Sequence, residues 1–333
     1  MNIYDISKQA GVSIATVSRV LNGSPKVSPK TKEKVLQVME QNGYVLNAFA
    51  RSLGLNTMRT IGILCADASD IYLASAIYFL ERELRKNGYA SMLCCTGYHL
   101  EERQQYLQLL LSRNVDALFL VGSNFVEKSA LKNSYLKEAA KKVPIFILNG
   151  SMAAKNIYSI LCDDRQSILE LTNSILLSGS ASPIYLYRSL NYSGKRKLEG
   201  FLDACKSNGI ASPSSRAFPC PPNIMQASVF LQDLADTGFY FDACIASDDE
   251  LAVSAVKYAQ ASGRQVPGNL QITGYNASLL SVCSTPEITT VDNRVEFMCV
   301  TAVSLLMQVF DGKDIPAQTM FTGNIISRAT THI

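Results

Sequence analysis

Histidine is scarce in this chain: two residues in 333, His99 and His332, far apart in sequence. That scarcity argues against a histidine-based catalytic triad and against a histidine metal cluster. No CxxC spacing occurs among the nine cysteines, at 65, 94, 95, 162, 205, 220, 244, 283 and 299. Their odd number and their place in apolar runs such as IGILCA, SMLCC and DACIA read as buried free thiols in a reducing compartment. No run of about 18 apolar residues exists, so no membrane span is expected. The opening MNIYDIS lacks a basic n-region and an apolar h-region, so no signal peptide is expected and the cytoplasm is the expected location. No GxGxxG follows a strand-like run and no GxxxxGK[ST] is present, which removes the backbone cradles of dinucleotide and P-loop chemistry. GYNAS is not a nucleophile elbow. Asp248-Asp249-Glu250 suggests a metal site less than it suggests acids opening a helix and meeting its dipole. No enzyme activity, metal or cofactor is expected.

Charge is unevenly spread. Residues 1–60 carry eight Lys/Arg and three acids, a net of +5, while the whole chain carries +3, so the remainder sums to −2. A basic head on a near-neutral body suggests that a polyanion binds at the head only. Within that head, DISKQAGVSIATVSRVLNG (5–23) reads as two short helices joined by a tight turn. Gly11 sits where the turn needs positive φ, and Ser13 is a natural N-cap. At about 100° per residue, Val17, Val20 and Leu21 fall on one side, to pack on Ile6, Ala10 and Val12. Ala15, Thr16, Arg19 and Asn22 fall on the other. That is a helix-turn-helix with a second helix shaped for the major groove. A third helix opens at Ser28-Pro29, puts Val35, Leu36 and Met39 on one side, and stops at Asn42-Gly43. Lys26, Lys30, Lys32, Ser28 and Thr31 suit phosphate contacts. The segment Asn47 to Gly54 is long enough for about two helical turns, too few to hold alone in water. It is either an irregular linker or a segment that orders when DNA and a second copy hold it.

From Thr60 short β-rich runs alternate with helices. Strands are expected at 61–66, 90–95, 117–121, 145–149, 158–161, 183–187, 243–247 and 271–275, and AFPCPPN (217–223) as a loop. Continuous apolar strands joined by helices imply parallel sheets covered on both faces. The units are too many for one sheet, so two doubly wound subdomains with a cleft between them are expected. Ligands in such folds bind beyond the carboxyl ends of the strands.

The runs YDISKQAGVSIATVSRVLNG, VSPKTKEKVLQVMEQNGYVLNAFARSL and RTIGIL, with VPGNLQITGYN, PEITTVDN and ISRATT near the end, closely resemble the lactose/galactose repressor (LacI/GalR) family of bacterial transcription regulators. The resemblance covers essentially the whole chain. It implies an all-α helix-turn-helix headpiece (1–46), a hinge helix and linker (47–59), and an α/β core like a periplasmic binding protein (60–333). Lobe 1 would hold about 60–158 and 292–320, and lobe 2 about 159–291 and 321–333. It implies a homodimer, probing double-stranded operator DNA that is pseudo-palindromic, and a repressor role. The positions matching the family's base-reading pair are Ile14 and Ala15; both are apolar, able to touch a thymine methyl but not to hydrogen-bond a base edge. Arg19 matches a base contact that can fork onto guanine, with a phosphate as its other partner. Thr16 and Ser18 suit phosphates. Asn22 either does so too or caps the helix end beside Gly23. In the hinge, Asn47, Ala50, Arg51 and Leu53 match DNA-side positions. Leu53 matches a minor-groove wedge, and read without the family it is equally a packing residue.

Effector residues implied by the resemblance are Asp70, Tyr72, Leu73, Ser193, Lys197, Ser247, Asp248 and Asn276. Three depart from the family pattern: Lys197 stands for an arginine, with Arg196 adjacent, Asn276 for an aspartate, and Ser247 for an asparagine. Lys is a point donor where Arg forks, and Asn carries no charge. A site without the fork and the carboxylate points away from a plain hexose or nucleobase. The effector is unidentified, with sugars and sugar derivatives the candidate class; alternatively Lys197 and Asn276 are exposed loop residues. No heptad tail is present, so a coiled-coil tetramer is not expected.

Overall fold

The computed structural model describes residues 2–21, 24, 26–43 and 57–333. Three helices form the headpiece. Helix α1 (Ile3–Ala10) is capped by Asn2, which accepts from the amides of Tyr4 and Asp5 while Asp5 accepts from the amide of Asn2. Gly11 takes φ +59 and turns the chain. Ser13 then accepts from the amide of Thr16 at 3.1 Å and opens α2 (Ile14–Leu21). Helix α3 (Pro29–Gln41) starts with Ser28 as cap and Pro29 at the first position, where a missing N–H costs nothing. Ile6, Ala10, Val17, Val20, Val35 and Met39 make the buried core. Leu36 is not part of it. It is 45% exposed, and Val38 packs instead. Relative to Val35, Val38 and Met39 lie within about 60° on the helix, whereas Leu36 lies about 100° away, off the stripe.

The first lobe is a sheet of β1 (Thr60–Cys65), β2 (Ala90–Cys95), β3 (Ala117–Val121), β4 (Ile145–Leu148), β5 (Ile157–Cys162) and β11 (Gln318–Phe321), ordered β11-β5-β4-β3-β1-β2 and parallel throughout. Alternate residues serve opposite faces. Ile61, Ile63 and Cys65 meet α4 (Ile71–Lys86) and α12 (Val295–Phe310), while Leu64, Leu118 and Leu120 meet α5 (Leu100–Ser112) and α6 (Ser134–Ala140). The second lobe holds β6 (Pro183–Tyr187), β7 (Ala217–Pro219), β8 (Ala243–Ala246), β9 (Gln271–Tyr275), β10 (Thr289–Asp292) and β12 (Asn324–Ile326) in the order β12-β10-β9-β8-β6-β7. Helices α7 (Asp164–Leu177) and α8 (Tyr192–Ser207) cover one face, and α9 (Ile224–Asp236) and α10 (Asp249–Ser262) the other. A short α11 (Leu279–Cys283) follows β9.

Two details correct the sequence reading. The second sheet is not wholly parallel, because β12 runs antiparallel to β10. And 217–219 of the expected loop is a short edge strand on β6, where a proline is tolerated because one side of the strand needs no partner. The chain leaves the first sheet after Cys162, so the boundary at 158/159 falls inside β5. It crosses again between β10 and α12 and after β11. Of the nine cysteines all are free, six are buried, and Cys95 and Cys283 are exposed. No helix among the described residues is long and apolar enough to cross a membrane.

Candidate functional site

Two surfaces carry the sequence-derived residues. On the headpiece, Ile14, Ala15 and Arg19 are exposed along α2 while Val17 and Val20 are buried, and Thr16 and Ser18 are half-buried between. Thr16 and Ser13 share a hydroxyl–hydroxyl bond of 2.9 Å, and Thr31 and Ser28 one of 2.8 Å. Both pairs cap helix N-termini, whose open amides and dipole favour anions. Lys26, Lys30 and Lys32 are exposed near the second of them. Asn22, Asn47, Ala50, Arg51 and Leu53 lie outside the described residues.

The second surface is a cleft of about 400 Å³ between the lobes, at the carboxyl ends of both sheets. All eight residues Asp70, Tyr72, Leu73, Ser193, Lys197, Ser247, Asp248 and Asn276 line it. They arrive by helix starts. Asp70 caps α4 through the amide of Leu73 at 2.9 Å, and Asp248 caps α10 through the amide of Leu251 at 3.0 Å. Asn191 caps α8 and delivers Ser193 and Lys197 one turn later. Asn276 follows β9 at φ +95, and its carbonyl accepts from Asn293 at 3.0 Å. Arg196 does not reach the cleft; it faces Asp163 at 3.7 Å and Glu199 at 3.6 Å.

Lys197 and Ser193 face inward as much as outward. The Lys197 ammonium donates to the Ser247 carbonyl at 2.9 Å and stands 3.6 Å from the centre of the Tyr275 ring. Ser193 donates to Asp164 at 2.5 Å, and the Tyr275 hydroxyl donates to the other Asp164 oxygen at 2.6 Å. Burial lowers the Lys197 ammonium from its ordinary value, with Asp164 pulling it back, and burial raises the Asp164 carboxyl. Neither Lys197 nor Asn276 is an exposed loop residue: Lys197 is 8% exposed and Asn276 is half-buried.

Sequence reasoning missed Arg188, and with it a forked cation in the cleft. Its guanidinium donates to Asp248 at 2.9 Å and pairs also with Glu250. The expectation that the cleft lacks a fork and carboxylate is therefore corrected: the arginine comes from the end of β6, not from α8. The signal was available, since Arg188 directly follows the strand PIYLY. Asn149, after β4, was equally placed to be found. Its amide donates to the Tyr72 hydroxyl at 2.6 Å, and its buried carbonyl oxygen has no partner among the described residues.

A basic three-helix headpiece with an exposed face on its second helix, joined to two lobes around a polar cleft, has the plan of a DNA-binding regulator with a ligand-binding core. Residues 2–47 match the family described as bacterial regulatory proteins, lacI family, and residues 178–331 the periplasmic binding protein-like domain. An HTH-type transcriptional regulator of Lachnoclostridium phytofermentans is 48% identical over 332 residues, covering all of both chains. Among solved structures, the lac repressor dimer bound to operator and the anti-inducer ONPF superposes with a TM-score of 0.90 at 21% identity, over 99% of each chain. The transcriptional regulator CelR–cellobiose complex gives 0.72 at 21% identity, also over 99% of each. The chain belongs to the lacI family of bacterial regulatory proteins. It is a DNA-binding transcription regulator.

Proposed function

We propose that the protein is a cytoplasmic homodimeric repressor whose two headpieces read a pseudo-palindromic operator, and whose affinity is set by a polyhydroxylated small molecule in the interlobe cleft. The observation that carries the ligand reading is the cleft's lining: both lobes contribute, and it offers a forked cation on two carboxylates opposite the amide–hydroxyl pair of Asn149 and Tyr72. A sugar or sugar derivative supplies the donors and acceptors such a set needs. The lac repressor dimer on its operator and CelR with cellobiose are similar proteins that support the assembly and the ligand class. Residues 1–46 would be the headpiece, 60–333 the core, and 47–59 the hinge, with Asn47, Ala50 and Arg51 beside the DNA and Leu53 as the wedge. Ligand that resets the lobes would change the spacing of the two hinges and so operator affinity, by about 1–3 kcal/mol as is usual for coupled sites.

The test is a gel shift with duplexes from the source genome, with and without sugars and sugar derivatives. Salt-sensitive binding that a small molecule shifts is the expected result, and no shift at any salt would end the proposal. Within it, Arg19→Ala should flatten the preference among operator variants by about 1–3 kcal/mol at the guanine it reads. An unchanged preference, with affinity merely lower, would reassign Arg19 to a phosphate. Arg188→Gln should abolish the response to the effector while leaving operator binding in its absence intact; a full response would remove Arg188 from ligand contact.

A further inference from the structure

Cys65 closes β1 and Cys95 closes β2, and the two are register partners on adjacent parallel strands. Neighbouring strands lie about 4.8 Å apart, inside the Cα separation of about 4.4–6.8 Å that a disulfide spans. The two sulfurs stand 3.7 Å apart. Closing them to a bond of about 2.0 Å asks for side-chain rotation rather than strand movement. Access differs sharply: Cys65 is fully buried, whereas β2 is an edge strand and Cys95 is exposed on it. Cys94 alternates to the opposite face, against the α5 side, and cannot compete for Cys65. Burial, with the Cys95 contact adding to it, pushes the Cys65 thiol up to about 12, so Cys65 is not the thiol oxidised first.

We propose that Cys65 and Cys95 are a redox-active dithiol, converted by a hydroperoxide into a disulfide within one protomer, at the base of two loops that run to the cleft. The Cys95 sulfur takes an oxygen from the peroxide; the O–O bond breaks, and with hydrogen peroxide one water leaves a sulfenic acid. The Cys65 sulfur attacks that sulfur, the S–S bond forms as the S–O bond breaks, and the Cys65 proton departs with the hydroxide as a second water. Two electrons pass from the thiols to the peroxide. The loops that leave these cysteines lead to Asp70 and Tyr98, both on the cleft. They are already tied by the Thr96 amide to the Cys65 carbonyl at 2.8 Å and the Gly97 amide to the Ala66 carbonyl at 2.9 Å. A covalent bond at their base would stiffen that rim. Its effect on ligand rests on the function proposed above; the bond itself does not.

The experiment treats the full-length protein with hydrogen peroxide, then alkylates it under denaturing conditions and maps the peptides. Free thiols should fall from nine to seven, a loss of two, with a Cys65–Cys95 linked peptide that dithiothreitol releases. Cys95→Ser should lose the link and Cys94→Ser keep it. Pairing of Cys95 with Cys94 or with a second copy, or its oxidation past sulfenic acid with Cys65 left free, would overturn the proposal. Phenylarsine oxide, which needs two adjacent thiols, gives a second readout on untreated protein: one equivalent bound, and none by Cys95→Ser. Retained binding in that variant would overturn the pairing as well. Hydrogen exchange at 66–70 and 96–99 should slow several-fold on oxidation. Unchanged exchange would refute the stiffening while leaving the effector reading standing; a cross-linked, stiffened protein that answers no sugar would do the reverse.

Discussion

Lys197→Met should destabilise the second lobe by about 3–5 kcal/mol, although it changes a residue on the wall of the cleft. The side chain is nearly the same shape, so little packing is lost. What is lost is a buried positive charge whose field acts on the Asp164 carboxylate, itself held by the Ser193 and Tyr275 hydroxyls. The Ser247 carbonyl and the face of Tyr275 would also lose their cation. The measurement is the urea midpoint of the variant against the parent. The pair Lys197→Met with Asp164→Asn should recover part of the loss, because a buried carboxylate left without its neighbouring positive charge costs more than a neutral amide in the same place. A single variant as stable as the parent would show that the ammonium does no structural work. The pH dependence has a definite sign. Asp164 is held above its unfolded value, so the folded chain binds that proton more tightly. Its contribution is complete below the ordinary carboxylate range and is lost as pH rises through the raised value. Asp164→Asn should remove that part of the slope.

Gly200→Ala is the other large effect. In an open helix this change would gain about 1 kcal/mol from propensity. Here a Cβ would overlap the Arg165 carbonyl oxygen and lie 3.1 Å from both the Arg165 carbonyl carbon and the Leu169 amide nitrogen. These are backbone atoms of α7, which cannot rotate away, so α7 and α8 must part. Overpacking of this kind costs about 1–3 kcal/mol, enough to reverse the propensity gain. Because α7 carries Asp164 and α8 carries Ser193 and Lys197, parting the helices would also loosen the base of the cleft. A lowered thermal midpoint together with a weakened effector response is expected. Ser207→Ala, at an exposed place on the same helix, should change neither. Equal midpoints for the two variants would mean the helices are not in backbone contact.

Local chemistry made the outline legible. Ser28 before Pro29, Gly11 at the turn, and the continuous apolar runs from IGILC to QITGY each encode their own geometry within a few residues. The headpiece, the eight expected core strands and the two-lobed plan follow from such signals. Leu36 shows their limit: a stripe of three apolar residues has an uncertain edge, and only the packing of Val38 settles on which side of it Leu36 lies. The cleft shows a second limit. Arg188 stands just past β6, whereas the family's arginine position falls on α8 at Lys197, and no spacing along the chain relates residue 188 to residue 248.

The sequence by itself determined the three headpiece helices, eight of the twelve strands among the described residues, and that the head is basic; β7, β10, β11 and β12 were not legible in it. Only the tertiary structure decided what those side chains do there: that Lys197 braces the wall of the cleft, that Arg188 supplies the fork, and that Cys65 meets Cys95. Capping, periodicity and turn chemistry act over a few bonds and are written locally, whereas charge pairing and burial depend on distances set by sheet order, which the chain specifies only through the packing of the whole.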